Sequence, residues 1–330
     1  MAFSASQFEE DYLSDKSLPL GFFHRSLVFL IELIVLAFRV LFNVTRSLYR
    51  FVVPASPKYV YGRTVLITGS ANGLGRLLAE EFANRGAQLV LLDIDMEGNR
   101  ELASELCCKG RSAHPYYCDL SRRTDLYSVV AEIKRDIGNI DILINNAATL
   151  SGKPVLQCSE DAIEKVLEVN TMAYIWLIKA FLPDMLKRNQ GHVVNIASLA
   201  GFVGVNGLAD YCASKSAIIG FTEALSYELK QMKKSGVHLS LVCPSYMEEG
   251  MFAGCKSRFP APLKSKRAVE MIVQGILTNQ ERIFVPWYAQ YIPAVKSFLP
   301  VRAFTALLDF SGGGGVGFLR NFKGPRTWSG

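Results

Sequence analysis

Between Leu20 and Phe42 the chain is almost uninterruptedly apolar, reading LGFFHRSLVFLIELIVLAFRVLF over 23 residues. As a helix this stretch is long enough to reach across a bilayer core. Arg25, Glu32, Arg39 and Arg46 break it at a spacing of seven. Seven helical steps come to about 700°, so the four charges share one narrow stripe. That stripe is costly inside lipid but suits a helix lying in the interface or dipping into one leaflet. From Tyr61 onward the pattern changes to short β-branched runs alternating with helical stretches. RTVLITG, QLVLLDID, HPYYCDL, IDILINNAA, GHVVNIAS and VHLSLVCP read as strands. Between them, helices are predicted over GLGRLLAEEFANRG and over 97–109, 121–137, 159–188 and the stretch carrying YCASK. Strands alternating with helices predict an α/β fold, a Rossmann-type doubly wound parallel sheet covered on both faces. The expected organisation is a polar tail (1–19), a hydrophobic membrane-anchor helix (20–53), one Rossmann-type domain (58–300) and a C-terminal extension (301–330). The glycine run at 311–317 reads as a joint.

Composition narrows this picture. Half of the 330 residues are apolar, enough for a large core, and the net charge of +6 is spread without a basic run, which argues against a nucleic-acid partner. The seven cysteines form no CxxC and no Cys/His cluster, so neither a disulfide framework nor a metal site is expected, and a reducing, cytosolic setting is. The tail before the apolar stretch is acidic (Glu9, Glu10, Asp11, Asp15), unlike the basic start of a signal peptide. Arg46, Arg50, Lys58 and Arg63 follow the stretch, which favours an anchor with its catalytic domain facing the cytosol.

The candidate chemistry begins at TGSANGLG (68–75), where the first strand turns into the first helix. Glycines 69, 73 and 75 let backbone amides approach a diphosphate at a helix N-terminus. Asp93 closes the second strand 18 residues after Gly75, placed to accept from ribose hydroxyls and to repel a 2′-phosphate. No basic residue stands at Asn72 or Ile94 to neutralise such a phosphate, so NAD is expected over NADP.

Together with Asp119 in YCDL, NNAA at 145–148, Ser198 in NIAS and YCASK at 211–215, this order of motifs resembles the short-chain dehydrogenase/reductases over roughly 60–300. The resemblance implies a catalytic tetrad of Asn170, Ser198, Tyr211 and Lys215. It further implies cofactor contacts from Gly69, Ser70, Asn72, Gly73, Leu74, Gly75, Asp93, Asp119, Asn145, Ala147, Tyr211, Lys215, Pro244 and Met247. Ser198 and Tyr211 would meet the substrate oxygen, Lys215 would grip the nicotinamide ribose, and Asn170 would hold a water for proton relay. A phenol is a poor base at neutral pH. An ammonium about 5 Å from the phenolate favours it by roughly 3 kcal/mol, or about two pKa units.

EVNTMAYIWLIKAFLPDML, GHVVNIASLAG, ILTNQERIFVPW and the late FKG are similar to the membrane-associated branch that holds retinol and 17β-hydroxysteroid dehydrogenases. That likeness implies a lipophilic alcohol, retinol first, with a steroid or long-chain alcohol as the alternative, and a weakly active lipid-droplet or endoplasmic-reticulum scaffold as the alternative of another class. It implies an endoplasmic-reticulum membrane or lipid-droplet location and a homodimer built on the helices near 159–188 and 211–232. Phe202, Phe252, Phe259, Pro260 and Pro262 are expected to flank an apolar substrate. Three residues depart from the family pattern: Ala148, whose methyl would crowd the cofactor, Ser245 after Pro244, and Glu249 in place of a threonine, which would weaken nicotinamide binding.

Overall fold

The computed structural model describes residues 22–312 apart from 54, 249, 253, 254, 256, 259 and 260. Two compact units divide the chain, 1–56 and 57–330. In the first, a helix α1 spans Phe22–Val52. Its described side chains from 25 to 46 are exposed throughout, apolar ones and the charged stripe alike. That is the surface of a candidate membrane anchor rather than of a core helix.

In the second unit, strands β1 (Thr64–Thr68), β2 (Gln88–Asp93), β3 (Ala113–Tyr117), β4 (Ile142–Asn145), β5 (Gly191–Ile196), β6 (Val237–Pro244) and β7 (Arg282–Val285) form one parallel sheet in the order β3-β2-β1-β4-β5-β6-β7. The crossovers carry α2 (Gly73–Asn84), α3 (Met96–Cys108), α4 (Arg123–Asp136), α5 (Glu160–Leu167), α6 (Ala173–Arg188), α7 (Ala209–Gln231) and α8 (Ser265–Leu277). Successive strand side chains feed two separate cores. Val65 and Ile67 pack with Leu78, Phe82, Leu102 and Ile272 of α2, α3 and α8, whereas Leu66 packs with Leu126, Leu177, Phe181 and Leu225 of α4, α6 and α7. This is why the central strands read as continuous apolar runs. The strand order reverses between β1 and β4, which opens a crevice at their C-terminal ends where ligands of such sheets bind.

Beyond β7 come α9 (Ile292–Phe298) and α10 (Val301–Ser311). Phe304 of α10 is buried, and the carbonyl of Ser311 accepts from the Arg258 amide at 2.8 Å. Glu249, Phe259, Pro260, the FKG segment and residues 313–317 of the glycine run lie outside the described residues.

Two features depart from the sequence reading. The helix expected over 159–188 is interrupted: Glu168–Met172 form a π turn between α5 and α6, with the Ala173 amide donating to the Glu168 carbonyl. The sheet also gains a seventh strand, β7, whose four residues RIFV are too short to stand out as a run.

Candidate active site

The glycine turn leaves β1 at Thr68, and its tightness has a visible cause. A Cβ at Gly75 would lie 1.8 Å from the Gly69 carbonyl oxygen and 2.7 Å from Asn146 Nδ2. Gly69 itself has φ +66° and no room for a side chain beside Ala147. Thr68 Oγ1 accepts from the amides of Asn146 (2.9 Å) and Ala147 (3.0 Å), while Asn146 Nδ2 donates to the Thr68 and Gly69 carbonyls. The turn is thereby bonded to the end of β4. At the start of α2, Asn72 makes no side-chain capping bond and the first turn holds no acid. The first amides of α2 therefore keep their positive character for an anionic ligand.

The predicted cofactor residues lie at this turn and at the ends of neighbouring strands, and the side chains of Ser70 and Asn145 are fully buried. Asp93 accepts from the Ala71 amide through Oδ2 and from the Asp95 amide through Oδ1, both at 2.9 Å. Burial raises its pKa, against the pull of those amide bonds. Asp95 caps α3 through Gly98 (3.0 Å) and also accepts from Asn72 Nδ2 (3.2 Å). The Asp119 carboxylate accepts from the Ser121 amide and hydroxyl at 3.0 and 2.7 Å, shaping the turn after β3. Pro244 closes β6, Met247 bridges to Leu263, and Leu74 packs on the core beneath the turn. Ser70, by contrast, is fully buried and its hydroxyl donates to Asn99 Oδ1 at 2.8 Å, behind the turn rather than into the crevice. Asn145 is likewise fully buried: its Nδ2 donates to Asn195 Oδ1 (2.8 Å), and Asn195 Nδ2 donates to Thr222 Oγ1 (2.9 Å). The side chain thereby ties β4 through β5 to α7.

The four tetrad residues converge at the ends of β4 and β5. Tyr211 and Lys215 lie one turn apart on α7, both buried, with Lys215 Nζ 5.6 Å from the Tyr211 ring centre and 5.3 Å from that of Tyr174. Lys215 Nζ donates to the Ile196 carbonyl at 2.9 Å. Ser198 follows β5, lies beside the Tyr211 phenol, and accepts from the Ala200 amide at 3.1 Å. The electrostatics run against the expectation of an acidified phenol. Burial raises the pKa of Tyr211, only partly opposed by the Ser198 hydroxyl beside it, and burial lowers that of Lys215 to about 7. Low dielectric disfavours the charged form of both groups.

Asn170 sits in the π turn, a place where such bulges recur at functional sites. Its Oδ1 accepts from the Thr149 amide (2.7 Å), and its Nδ2 donates to the Thr149 carbonyl (2.8 Å) and to Ser214 Oγ (3.0 Å). Both amide protons are used within the protein, so the side chain has none left to donate to a relay water. Its visible work is to bind the π turn to the loop after β4 and to α7. Thr149, Ser214 and Tyr174 escaped the sequence reading. Tyr174 donates to the Ala147 carbonyl at 3.0 Å. Their only sequence signals were positions inside known motifs: Ser214 within YCASK, and Tyr174 four residues after Asn170.

Over Tyr211 lies a separate apolar cluster of Leu150, Leu208 and Cys255 with Tyr246, Met251 and Phe252. Phe252 meets the Tyr211 ring edge-on, centres 5.6 Å apart. Phe202 faces another way, packing on Phe284 at 5.8 Å. Ala148 contacts the apolar cluster, and Pro262 is half-buried.

The model of the short chain dehydrogenase family matches residues 63–258. The chain is 41% identical to epidermal retinol dehydrogenase 2 of Mus musculus over 286 residues, covering 85% of this chain and 92% of that protein. It is 37% identical to human 17-beta-hydroxysteroid dehydrogenase 13 over 280 residues, covering 85% and 93%. Among solved structures, a short-chain dehydrogenase from Sphingobium yanoikuyae in complex with NADPH superposes with a TM-score of 0.64 at 28% identity, covering 75% of this chain and 95% of that one.

Proposed function

This chain belongs to the short-chain dehydrogenase family, and from that premise we propose that it oxidises a lipophilic alcohol, retinol foremost, to its carbonyl product with NAD. One observation carries the reading: the Tyr211 phenol, backed by the buried Lys215, packs within an apolar cluster of Leu150, Leu208, Cys255 and Phe252. Such a wall suits an aliphatic or isoprenoid alcohol with one polar end.

The crevice fits a dinucleotide. The uncapped start of α2 and the side-chain-free turn at Gly69 and Gly75 would hold a diphosphate, and Asp93 would take the adenosine ribose hydroxyls. Two carboxylates, Asp93 and Asp95, stand at that ribose position. Arg76 of α2 is already committed, with 2.8 Å bonds to both Glu105 carboxylate oxygens and Glu80 at 3.5 Å. A 2′-phosphate would meet negative charge there, which supports NAD over NADP.

A nicotinamide cofactor held in this crevice would supply the hydride acceptor for the alcohol carbon. The chain's own residues manage the proton. Ser198 would donate to the substrate oxygen and orient it, and Tyr211, having first released its own proton to solvent, would take the hydroxyl proton as a phenolate. Lys215, held by the Ile196 carbonyl and the faces of Tyr174 and Tyr211, supplies positive charge as the phenolate forms. Asn170 positions this group by binding the π turn to the Thr149 backbone and Ser214. We further propose that α1 anchors the enzyme to endoplasmic-reticulum or lipid-droplet membrane and that α5–α6 and α7 form a homodimer face. The likeness to a 17-beta-hydroxysteroid dehydrogenase favours a steroid as the second substrate class.

The test is turnover of retinol, estradiol and a long-chain alcohol by membrane-reconstituted protein with NAD and NADP in parallel. Retinol oxidation with NAD, abolished by Tyr211→Phe, is expected. Cofactor binding without turnover of any of the three would overturn the reading and leave a scaffold.

A further inference from the structure

After β7 the chain makes a 3-10 turn (Trp287–Tyr291), α9 and α10 in succession, and this stretch exposes large apolar side chains. Phe298 is 88% exposed and Val301 81%, side by side at the corner between the two helices. Trp287, 53% exposed, stands edge-on to Tyr291 at 6.3 Å. On α10, Leu307 is half exposed, and Phe310 is exposed with the Arg258 guanidinium over its ring at 5.0 Å. A soluble monomer rarely leaves such a patch to water. Between residues 286 and 311 the Lys, Arg, Asp and Glu side chains are Lys296, Arg302 and Asp309, a set with more basic than acidic members. Amphipathic aromatic rings, deep apolar tips and flanking cations are together the signature of an element seated in the headgroup region of a bilayer.

We infer that this face is a lipid-contacting surface, independent of α1, and that it lies beside the substrate entrance. Both of its ends are bonded to segments of the site. Lys296 Nζ donates to the Phe202 carbonyl at 2.7 Å, in the segment that follows Ser198. At the other end, the Ser311 carbonyl accepts from the Arg258 amide (2.8 Å) and from Ser257 Oγ (2.9 Å), just after Cys255 of the apolar cluster over Tyr211. A lipophilic alcohol dissolved in the bilayer would thus reach Tyr211 along apolar side chains. This second step rests on the proposed function, whereas the lipid contact does not.

The experiment uses the full chain in vesicles of phosphatidylcholine and phosphatidylserine doped with brominated phosphatidylcholine, whose bromines quench tryptophan at short range. The chain has three tryptophans, 176, 287 and 328. Bromine quenching is expected, and Trp287→Phe is expected to remove a resolvable share of it. Phe298→Ser combined with Val301→Ser should weaken quenching of Trp287 and raise KM several-fold for a bilayer-dissolved alcohol, with kcat and the turnover of a short water-soluble alcohol unchanged. Quenching that is the same with and without Trp287 overturns the lipid contact. So does efficient disulfide cross-linking of two copies through Phe298→Cys, which would assign the face to a second copy of the chain. If quenching follows Trp287 but no lipophilic alcohol is turned over, the surface stands and the proposed reaction falls.

Discussion

Replacing Lys215 by methionine isolates what its charge does for Tyr211. The ammonium sits 5.6 Å from the centre of the Tyr211 ring, which at an effective dielectric of about 20 amounts to roughly 3 kcal/mol of support for the phenolate. That equals about two pKa units. Burial works in the opposite direction on both groups, raising Tyr211 and bringing Lys215 to about 7. Lys215→Met should therefore move the acidic limb of the kcat/KM profile for alcohol oxidation, where the rate rises as Tyr211 ionises, about two units towards alkaline pH. At neutral pH it should cut kcat/KM about 100-fold. Lys215→Arg, which keeps the charge, should hold the limb near its original position. The assay is initial rates across neutral to alkaline pH at saturating cofactor, with binding of the cofactor measured separately. If the rate falls but the limb does not move, Lys215 serves binding or packing alone and the electrostatic account is wrong.

Two further outcomes follow from other parts of the molecule. Asp93→Asn keeps an acceptor for the Ala71 amide but removes a charge; KM for NAD should rise about tenfold or more and the preference over NADP should narrow, read from initial rates with both cofactors. His192, fully buried between Lys58 (2.5 Å) and Ser240 (2.8 Å), is held well below the ordinary imidazole range by desolvation and then by the Lys58 charge. The unfolded chain thus takes up the proton first, and stability contributed here is full above about pH 6.5 and lost as pH falls below it. Urea midpoints measured against pH should show that slope, flattened in His192→Gln.

Much of the site was legible because its chemistry is locally spaced. Gly69, Gly73 and Gly75 must stand at a strand-to-helix turn, and Tyr211 and Lys215 must stand one helical turn apart, so each pair of requirements is written within a few positions. The π turn was not legible, because the apolar pattern over 160–188 continues through it; only the bonds from Asn170 to Thr149 and Ser214 reveal where the helix yields. The same holds for β7, whose four residues acquire strand character by pairing with β6.

The alternation of strands and helices over most of the domain and the glycine turn between β1 and α2 were determined by the sequence itself, since periodicity and spacing along the chain suffice for them. The tertiary structure alone decided which polar side chains serve the crevice and which serve the scaffold. Ser70 and Asn145 turn inward to Asn99 and Asn195, Arg76 is committed to Glu105, and Tyr211 and Lys215 are both pressed towards neutrality. The reason is physical: a hydrogen-bond partner or a loss of solvent is supplied by residues 20 to 80 positions away, and no local pattern records them.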